Sequence, residues 1–167
     1  MLEDHETRDQ SRNNLAVEAL RKTGVLRLSA FGYSMLPTLY PGDILTIKRE
    51  TLGAIHPGDV VLYARGGRFF IHRNLRSVQR GSEMALVTRG DSMPHPDEPV
   101  VESELLGKVI SVGDGGEVRP VPPCTFRRRA LGLGFAYSGR LRSLALRWHR
   151  SGAKASAPEL VSGEVLR

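Results

Sequence analysis

The sequence predicts a mainly β protein: a curved antiparallel sheet or partly closed barrel, with a short N-terminal helix and a basic C-terminal helix. Between about residues 25 and 120, short runs rich in Val, Ile, Leu, Phe and Thr recur, such as VLRLSAF, DILTIKR, DVVLYAR, RFFIHRN, LRSVQR and LLGKVISV. Segments that carry Gly and Pro, such as YPGD, HPGD and RGGR, separate these runs at intervals typical of antiparallel strands. The chain has 167 residues, 40% of them apolar, which is enough for one domain with a sizeable core.

The first segment, residues 1–24, is polar and predicts one short helix. Within SRNNLAVEALRKTG, from residue 11, the apolar residues Leu15, Val17 and Leu20 lie among polar ones. Ser11 or Asn13 would cap such a helix, and Gly24 would end it. A β domain is expected to follow over residues 25–122.

Residues 123–167 form the third predicted segment. Prolines in RPVPPC end the β domain, and an Arg-rich stretch follows, for which we expect a helix over about 126–150. Its helical spacing places four residues on one apolar face: Leu141, Leu144, Ala145 and Trp148. This face either packs on the sheet or contacts a membrane or a partner. Residues 151–167 are small and polar and are expected to be mobile.

The positive charge of the chain lies in this C-terminal segment. Residues 1–124 contain 15 Lys and Arg against 16 Asp and Glu, whereas residues 125–167 contain 9 against 2. A basic tail on a near-neutral body suggests a local anionic partner, and peripheral contact with an anionic membrane through residues 126–150 is one candidate. No nucleic-acid partner is expected, because the body lacks a basic surface rich in aromatic residues.

The composition predicts neither a metal site nor a cofactor. The single cysteine, Cys124, cannot form an internal disulfide or supply a metal cluster, and it is expected to be a small half-buried residue. The acidic start MLEDHETRDQ lacks the pattern of an export signal. The apolar run ALGLGFAY, residues 130–137, is far shorter than the ~20 residues that span a bilayer. We therefore expect a cytoplasmic protein that is at most peripheral at the inner membrane surface.

Two Pro-Gly-Asp sequences precede strand-like runs, in YPGDILTI and HPGDVVLY. Proline fixes φ, glycine adopts a positive φ, and aspartate accepts hydrogen bonds from backbone N–H groups. Asp43 and Asp59 are therefore predicted to form turns rather than to take part in catalysis.

The stretch GYSMLPTLYPGD, residues 32–43, contains a candidate nucleophile, Ser34. A serine hydroxyl attacks a carbonyl only when a base, a group that orients the base and N–H donors for the oxyanion lie within reach. Gly32 lets the backbone turn and come close to a substrate. On spacing alone, however, a serine before a turn more often bonds to its own backbone.

His72 and two aspartates are the candidate partners of Ser34. Strand alternation in FFIHRN places His72 on the face of Phe70, and imidazole is a suitable general base near neutral pH. Asp91 and Asp97 follow a strand in TRGDSMPHPDEPV, and either could fix the tautomer of an imidazole. From residue types alone, a structural histidine and turn aspartates are the commoner interpretation, so the Ser/His/Asp hypothesis is weak at this point.

The box GYSMLPTLYPGD resembles the nucleophile box of the type I signal peptidase family: a small residue, then Ser-Met-x-Pro-Thr-Leu, then Gly-Asp. The segments GDVVLY, IHRNLRSV and VTRGDSMPHPD follow in the order of that family's later boxes, so the resemblance spans about residues 25–115. Bacterial enzymes of this type carry a lysine base where this chain has His72, whereas archaeal and endoplasmic-reticulum forms carry His-Arg, like His72 and Arg73. The resemblance thus implies a histidine-type catalytic domain with the signal-peptidase fold.

The resemblance also implies a role for each matching residue. Ser34 would be the nucleophile, His72 the general base and Asp97 the triad carboxylate, with Asp91 supporting the site. In the histidine type the last box reads roughly Gly-Asp-Asn-Asn-x-x-Asp-Asp. Asp91 and Asp97 match its outer aspartates, while the asparagines and one inner aspartate have no match here.

Three further residues of the nucleophile box, Gly32, Met35 and Pro37, fall at substrate or oxyanion positions. The Ser34 backbone N–H is the expected oxyanion donor. Some members of the family add a serine hydroxyl two residues before the nucleophile, where this chain has Gly32.

The implied activity is that of a serine endopeptidase that cleaves a precursor or leader peptide after small residues. Because no spanning segment is predicted, the expected substrate is a cytoplasmic precursor. The tail of the chain contains small residues at alternate positions, and Ala155-Ser156 is the bond there that such an enzyme would cut.

Two alternatives remain open. A repressor-type self-cleaving peptidase would need a lysine at residue 72 and a DNA-binding domain before the first strand. A catalytically silent β domain that binds a peptide along an open sheet edge would need none of this chemistry.

Overall fold

The computed structural model of this chain describes residues 2–113, 118–138, 143 and 145–147, with side chains from residue 11 onward. Helix α1 (Leu2–Thr23) opens the chain, and helix α2 (Phe126–Tyr137) follows the β region. A short 3-10 helix, Leu52–Ala54, precedes the third strand. The strands are β1 (Val25–Ser29), β2 (Ile44–Lys48), β3 (Val60–Arg65), β4 (Arg68–Arg80), β5 (Glu83–Arg89), β6 (Val100–Val101), β7 (Leu105–Gly113) and β8 (Val118–Arg119).

The eight strands form one antiparallel sheet. Its order is β1-β2-β7-β3-β4-β5-β6, and β8 pairs with β7 outside this path. The predicted mainly β, antiparallel fold is therefore confirmed. The sheet does not close into a barrel, because in the described part of the chain β1 pairs only with β2 and the two-residue β6 pairs only with β5.

Strand β3 lies at the centre of the sheet and is buried on both faces. Its residues alternate between two core clusters, with Val60 and Leu62 in the first and Val61 and Tyr63 in the second. The first core cluster contains Leu20, Ala30, Met35, Leu39, Leu45, Ile47, Val60, Leu62, Val109 and Val112. The second core cluster contains Leu52, Ile55, Val61, Tyr63, Leu86, Val100 and Leu105. This double burial gives the neighbouring strand β4 a firm support.

Helix α1 begins earlier than predicted. The pattern of apolar residues placed its start at residue 11, whereas the helix begins at Leu2. The prediction was wrong because residues 2–10 have no apolar periodicity, although they include the good helix formers Glu, Arg and Gln. Leu20 is the residue that anchors the helix, since it is buried in the first core cluster.

Strand β4 joins two runs that looked separate in the sequence, RFFIHRN and LRSVQR. An irregularity in its pairing with β5 lies between Asn74 and Arg76, at the junction of the two runs. The predicted alternation in the first run is confirmed, because Phe69 and Ile71 pack on the first core cluster and Phe70 packs on the second.

Both Pro-Gly-Asp sequences form the predicted turns. The Asp43 carboxylate accepts a hydrogen bond from Tyr40 N at 2.9 Å, and the Asp59 carboxylate accepts one from His56 N at 2.9 Å. Their glycines have φ values of 100° and 96°. The two aspartates thus shape the backbone, as expected.

Helix α2 packs on the body of the protein through one face. Phe135 is buried, and Gly132 lies so close to the loops beneath it that an added Cβ would stand 2.8 Å from Leu36 O and 2.7 Å from Asp91 O. Of the predicted apolar face, Leu141, Leu144 and Trp148 lie outside the described residues, as does the Ala155-Ser156 bond, whereas Ala145 is helical and half-buried. Within the described ranges, no helix is long and apolar enough to cross a membrane.

Candidate active site

Ser34 lies in the loop that connects β1 to β2. Backbone hydrogen bonds close the base of this loop, from Ala30 N to Asp43 O at 2.8 Å and from Gly42 N to Ala30 O at 2.9 Å. Three apolar residues of the loop are buried beneath it: Met35, Leu36 and Leu39. Pro37 is half-buried behind them. The loop therefore holds Ser34, itself half-buried, in a fixed position at the surface of the first core cluster.

His72 meets Ser34 from the central part of the sheet. Its Nε2 atom lies 3.0 Å from Ser34 Oγ, which is hydrogen-bond distance, although the two residues are 38 positions apart in sequence. The ring is buried, and it lies edge-on to Tyr63 and tilted to Phe70, with centroids 6.2 Å away in both cases. These aromatic neighbours fix the imidazole plane and keep bulk water from one side of it.

Asp97 holds the other nitrogen of the same imidazole. Its Oδ2 atom lies 2.7 Å from His72 Nδ1 and also accepts a hydrogen bond from Thr88 Oγ1 at 2.7 Å. The loop position is fixed by a backbone bond from Asp97 N to Thr88 O at 2.8 Å. A carboxylate on Nδ1 favours the tautomer in which Nε2 accepts the serine proton.

The surroundings keep the Asp97 carboxylate ionised. Burial by itself raises the pKa of Asp97, but hydrogen bonding from His72, Thr88 and Tyr63 and the charge of His72 outweigh this and lower it. Burial, followed by the negative charge of Asp97, raises the pKa of Tyr63 to about 12. The phenol thus stays protonated and supports the carboxylate as a donor.

Asp91 does not reach His72 but forms a buried ion pair with Arg73. Arg73 donates from Nε to Asp91 Oδ1 at 2.9 Å and from Nη2 to Asp91 Oδ2 at 2.8 Å, and Thr38 Oγ1 also donates to the carboxylate. The guanidinium additionally donates to Gly58 O and Pro122 O. Asp91 therefore supports the site indirectly, by joining β4, the Asp91 loop and the loop that carries Ser34.

Replacing Asp91 with alanine is expected to lower the free energy of unfolding by about 3–5 kcal/mol, because it leaves a buried guanidinium without its counterion. The two residues are only 3% and 5% exposed. Urea unfolding would measure the change. Glu18→Ala is the matched control, since its ion pair with Lys22 is exposed and such pairs contribute about 0–1 kcal/mol. Equal losses in both variants would contradict the assigned role.

Two residues that were not predicted from the sequence hold the nucleophile loop, the segment of residues 30–43 that carries the candidate nucleophile Ser34. Ser92 donates from its backbone N to Ser34 O and from Oγ to Tyr33 O, both at 2.9 Å. At Gly90 an added Cβ would lie 2.6 Å from Ser34 O, so only glycine allows this approach. The sequence signal for both residues is the Gly-Asp-Ser tripeptide of residues 90–92.

The Ser34 backbone N–H is available as an oxyanion donor, since it donates to no other protein group within the part of the chain that the structure describes. Gly32, two residues earlier, has a φ of 78° and is exposed. A side chain at residue 32 would therefore be strained in this conformation.

A groove of about 1070 Å³ leads away from Ser34 and His72. One wall is the free side of β1 with the start of the nucleophile loop, and the opposite wall is the β3–β4 turn with the first half of β4. Helix α1 closes the far end, where Asn13 Nδ2 donates to Gly67 O at 2.8 Å. Met35 and Ile71 provide apolar lining close to the serine. The groove lies beside an open strand edge, the feature to which an extended peptide can bind.

Metal chemistry has no visible ligand set here. Among the residues that the structure describes, no group of three or more His, Cys, Asp or Glu side chains could hold a metal ion. Cys124 is half-buried, and burial together with the Asp91 charge raises the pKa of its thiol. The thiol is therefore a weak nucleophile and a weak ligand.

The site residues thus fall into two groups. The structure brings Ser34, His72 and Asp97 into one hydrogen-bonded chain and places Asp91 in a neighbouring ion pair. No protein-family model matches this chain, and no curated protein matches it either.

Proposed function

We propose that this chain is a serine endopeptidase in which Ser34 is the nucleophile, His72 the general base and Asp97 the residue that orients the base. The observation that carries the proposal is the continuous chain of contacts from Ser34 Oγ through both nitrogens of His72 to Asp97, at 3.0 and 2.7 Å. A histidine with a purely structural role needs no such contact with an accessible serine hydroxyl in a groove.

In the proposed reaction His72 Nε2 takes the proton of Ser34 Oγ as the oxygen attacks the peptide carbonyl carbon. The Ser34 N–H donates to the oxyanion, while Asp97 stabilises the imidazolium. The C–N bond then breaks, and the imidazolium passes its proton to the leaving amine. A water molecule then gives a proton to His72 Nε2 as its oxygen attacks the acyl carbon. The bond from that carbon to Ser34 Oγ breaks, and the imidazolium returns the proton to the serine oxygen.

The substrate class is a precursor or leader peptide bound in extended form and cut after a small residue. Support comes from the groove beside the free edge of β1 and from the resemblance of residues 32–43 to the nucleophile box of signal peptidases. Extended peptides place alternate side chains towards the same wall, so small residues two positions apart would face the same side of the groove.

Mass analysis of a pool of Ala-x-Ala-containing leader peptides, incubated with the purified full chain, would test this proposal. We expect cuts that follow small residues, with the new C-terminus at alanine. A pool left intact with and without detergent or lipid would contradict the proposal. It would favour the silent peptide-binding domain, for which the unpaired edge of β1 would serve as the binding site.

We further propose that α2 brings the chain to anionic membranes. Phe126, Ala130, Leu131 and Tyr137 are all exposed and lie on one face of the helix, and exposed Arg127 lies on the same face. A helix face that combines exposed apolar side chains with an arginine fits the pattern of peripheral membrane attachment.

Flotation of the full chain with anionic vesicles, compared with neutral ones, measures this attachment. The double variant Phe126→Ser and Leu131→Ser is expected to lose most of the flotation, because it removes apolar surface without changing charge. Leu15→Ser, an exposed leucine on α1, is the control and should float like the wild type. If wild-type protein floated equally with anionic and neutral vesicles, the attachment proposal would be contradicted.

A further inference from the structure

A second cavity lies beside Ser34, distinct from the groove. Its volume is about 320 Å³, and of the residues described in the structure Ser34 alone lines both it and the groove. Its walls are the side chains of the nucleophile loop, the Asp91 loop and the end of α2: Tyr33, Met93, Pro94, Phe135, Ala136 and Tyr137, with Ser92. Among the residues that the structure describes, no Asp, Glu, Lys or Arg side chain lines it.

The walls of this cavity are held in place by packing. Gly132 seats α2 directly on the carbonyls of Leu36 and Asp91, and buried Phe135 anchors the helix end. On the opposite wall, Ser92 joins the Asp91 loop to the nucleophile loop by donating hydrogen bonds to the carbonyls of Tyr33 and Ser34. The cavity is therefore a built feature of the fold, formed where α2 docks beside the nucleophile.

Side chains that line the cavity expose apolar surface to solvent. Tyr137 is 79% exposed, Tyr33 45% and Met93 41%, and all three border the cavity. Aromatic rings and a flexible methionine make favourable contacts with apolar and aromatic side chains of many shapes. A volume of about 320 Å³ is at the low end for ligand pockets, which suits one large side chain rather than a whole molecule.

We propose that this cavity binds an apolar or aromatic side chain at the first or second residue after the scissile bond. This inference rests on the proposed peptidase function. The long groove holds the extended segment before the bond, so a chain that continues past Ser34 enters the second cavity. Helix α2 thereby determines specificity, and the substrate class narrows to precursors whose released part begins with an apolar or aromatic residue.

Two peptides that are identical before the bond test the proposal, one with phenylalanine and one with serine at the two positions after it. We expect the full chain to cleave the phenylalanine peptide with a kcat/KM about 10-fold or more above the serine peptide, the discrimination typical of an apolar pocket. The variants Met93→Ala and Tyr137→Ala should each reduce this ratio severalfold.

Met84→Ala is the matched control, because Met84 is similarly exposed (47%) but lies on β5 and lines neither cavity. Its ratio should equal that of wild type. A wild-type ratio near one, or a ratio that survives in both Met93→Ala and Tyr137→Ala, would overturn the proposal.

A failure of the peptidase function gives a different result. If no peptide is cleaved, fluorescence anisotropy with the same labelled peptides on Ser34→Ala protein still measures binding to the cavity. The phenylalanine peptide should bind more tightly than the serine peptide, and this preference should be lost when Tyr137→Ala is added. Such a result supports the proposed role of the cavity even without catalysis. Equal binding of both peptides rejects it.

Discussion

Replacing Ser34 with alanine, or His72 with alanine, is expected to reduce the rate of peptide cleavage by ~10⁴-fold or more. Either change breaks the single hydrogen bond through which the serine proton leaves, from Oγ to Nε2 at 3.0 Å. The double variant should be little worse than each single one, because the two residues act as a unit. Initial rates with one leader peptide, followed by mass spectrometry, measure all three.

Two controls separate loss of chemistry from loss of structure. Ser77→Ala and His56→Ala remove an exposed serine and an exposed histidine elsewhere in the sheet and its turns, and both should keep the wild-type rate. Circular dichroism should be the same for all variants. Cleavage at a wild-type rate by Ser34→Ala protein would contradict the assignment of the nucleophile.

Replacing Asp97 with asparagine is expected to lower kcat by ~10⁴-fold with little change in KM. The amide is nearly the same size, but its NH₂ group facing His72 Nδ1 favours the tautomer that carries the proton on Nε2. That nitrogen then cannot accept the serine proton. Asp91→Asn serves as the comparison, because Asp91 lies in the Arg73 ion pair and does not contact the imidazole. If the two variants lost activity equally, Asp97 would have no special role.

The same carboxylate predicts how stability depends on pH. Since the folded protein lowers the pKa of Asp97, its ionised form stabilises the fold above the unfolded value, ~3.9. That contribution is lost as the pH falls through the lower, folded value. Urea unfolding at pH 7 and pH 3 should therefore show a smaller difference in Asp97→Asn than in wild type. An identical difference would indicate that the carboxylate is not stabilised.

The main parts of the fold and of the site could be predicted from the sequence for a physical reason. Alternating apolar residues and Gly-Pro turns report strands directly, and strand alternation already placed His72 with Phe70. Whether Ser34 and His72 meet depends instead on which strands pair. The two residues are 38 positions apart, and local sequence patterns say little about pairing over that separation. Residue types alone gave only a weak Ser/His/Asp hypothesis, and the resemblance to a known family strengthened it.

Other features depend on tertiary contacts that no local pattern reports. The ion pair of Arg73 and Asp91 joins residues 18 positions apart, and either one alone looks like an ordinary surface residue or turn residue. The start of α1 at Leu2 depends on helix propensity without an apolar stripe. Helix α2 can dock beside Ser34 because Gly132 has no side chain to collide with the loops beneath the helix.

The most direct test of the central claim is a search for the acyl-enzyme. Mixing the full chain with an activated ester of a short peptide that ends in alanine, then quenching in acid, should give protein whose mass is increased by the peptide acyl group. Digestion should place that group on Ser34, and Ser34→Ala protein should carry none. The account would be contradicted if wild-type protein hydrolysed the ester or peptide with no acyl group on Ser34, and if Ser34→Ala protein hydrolysed it at the same rate.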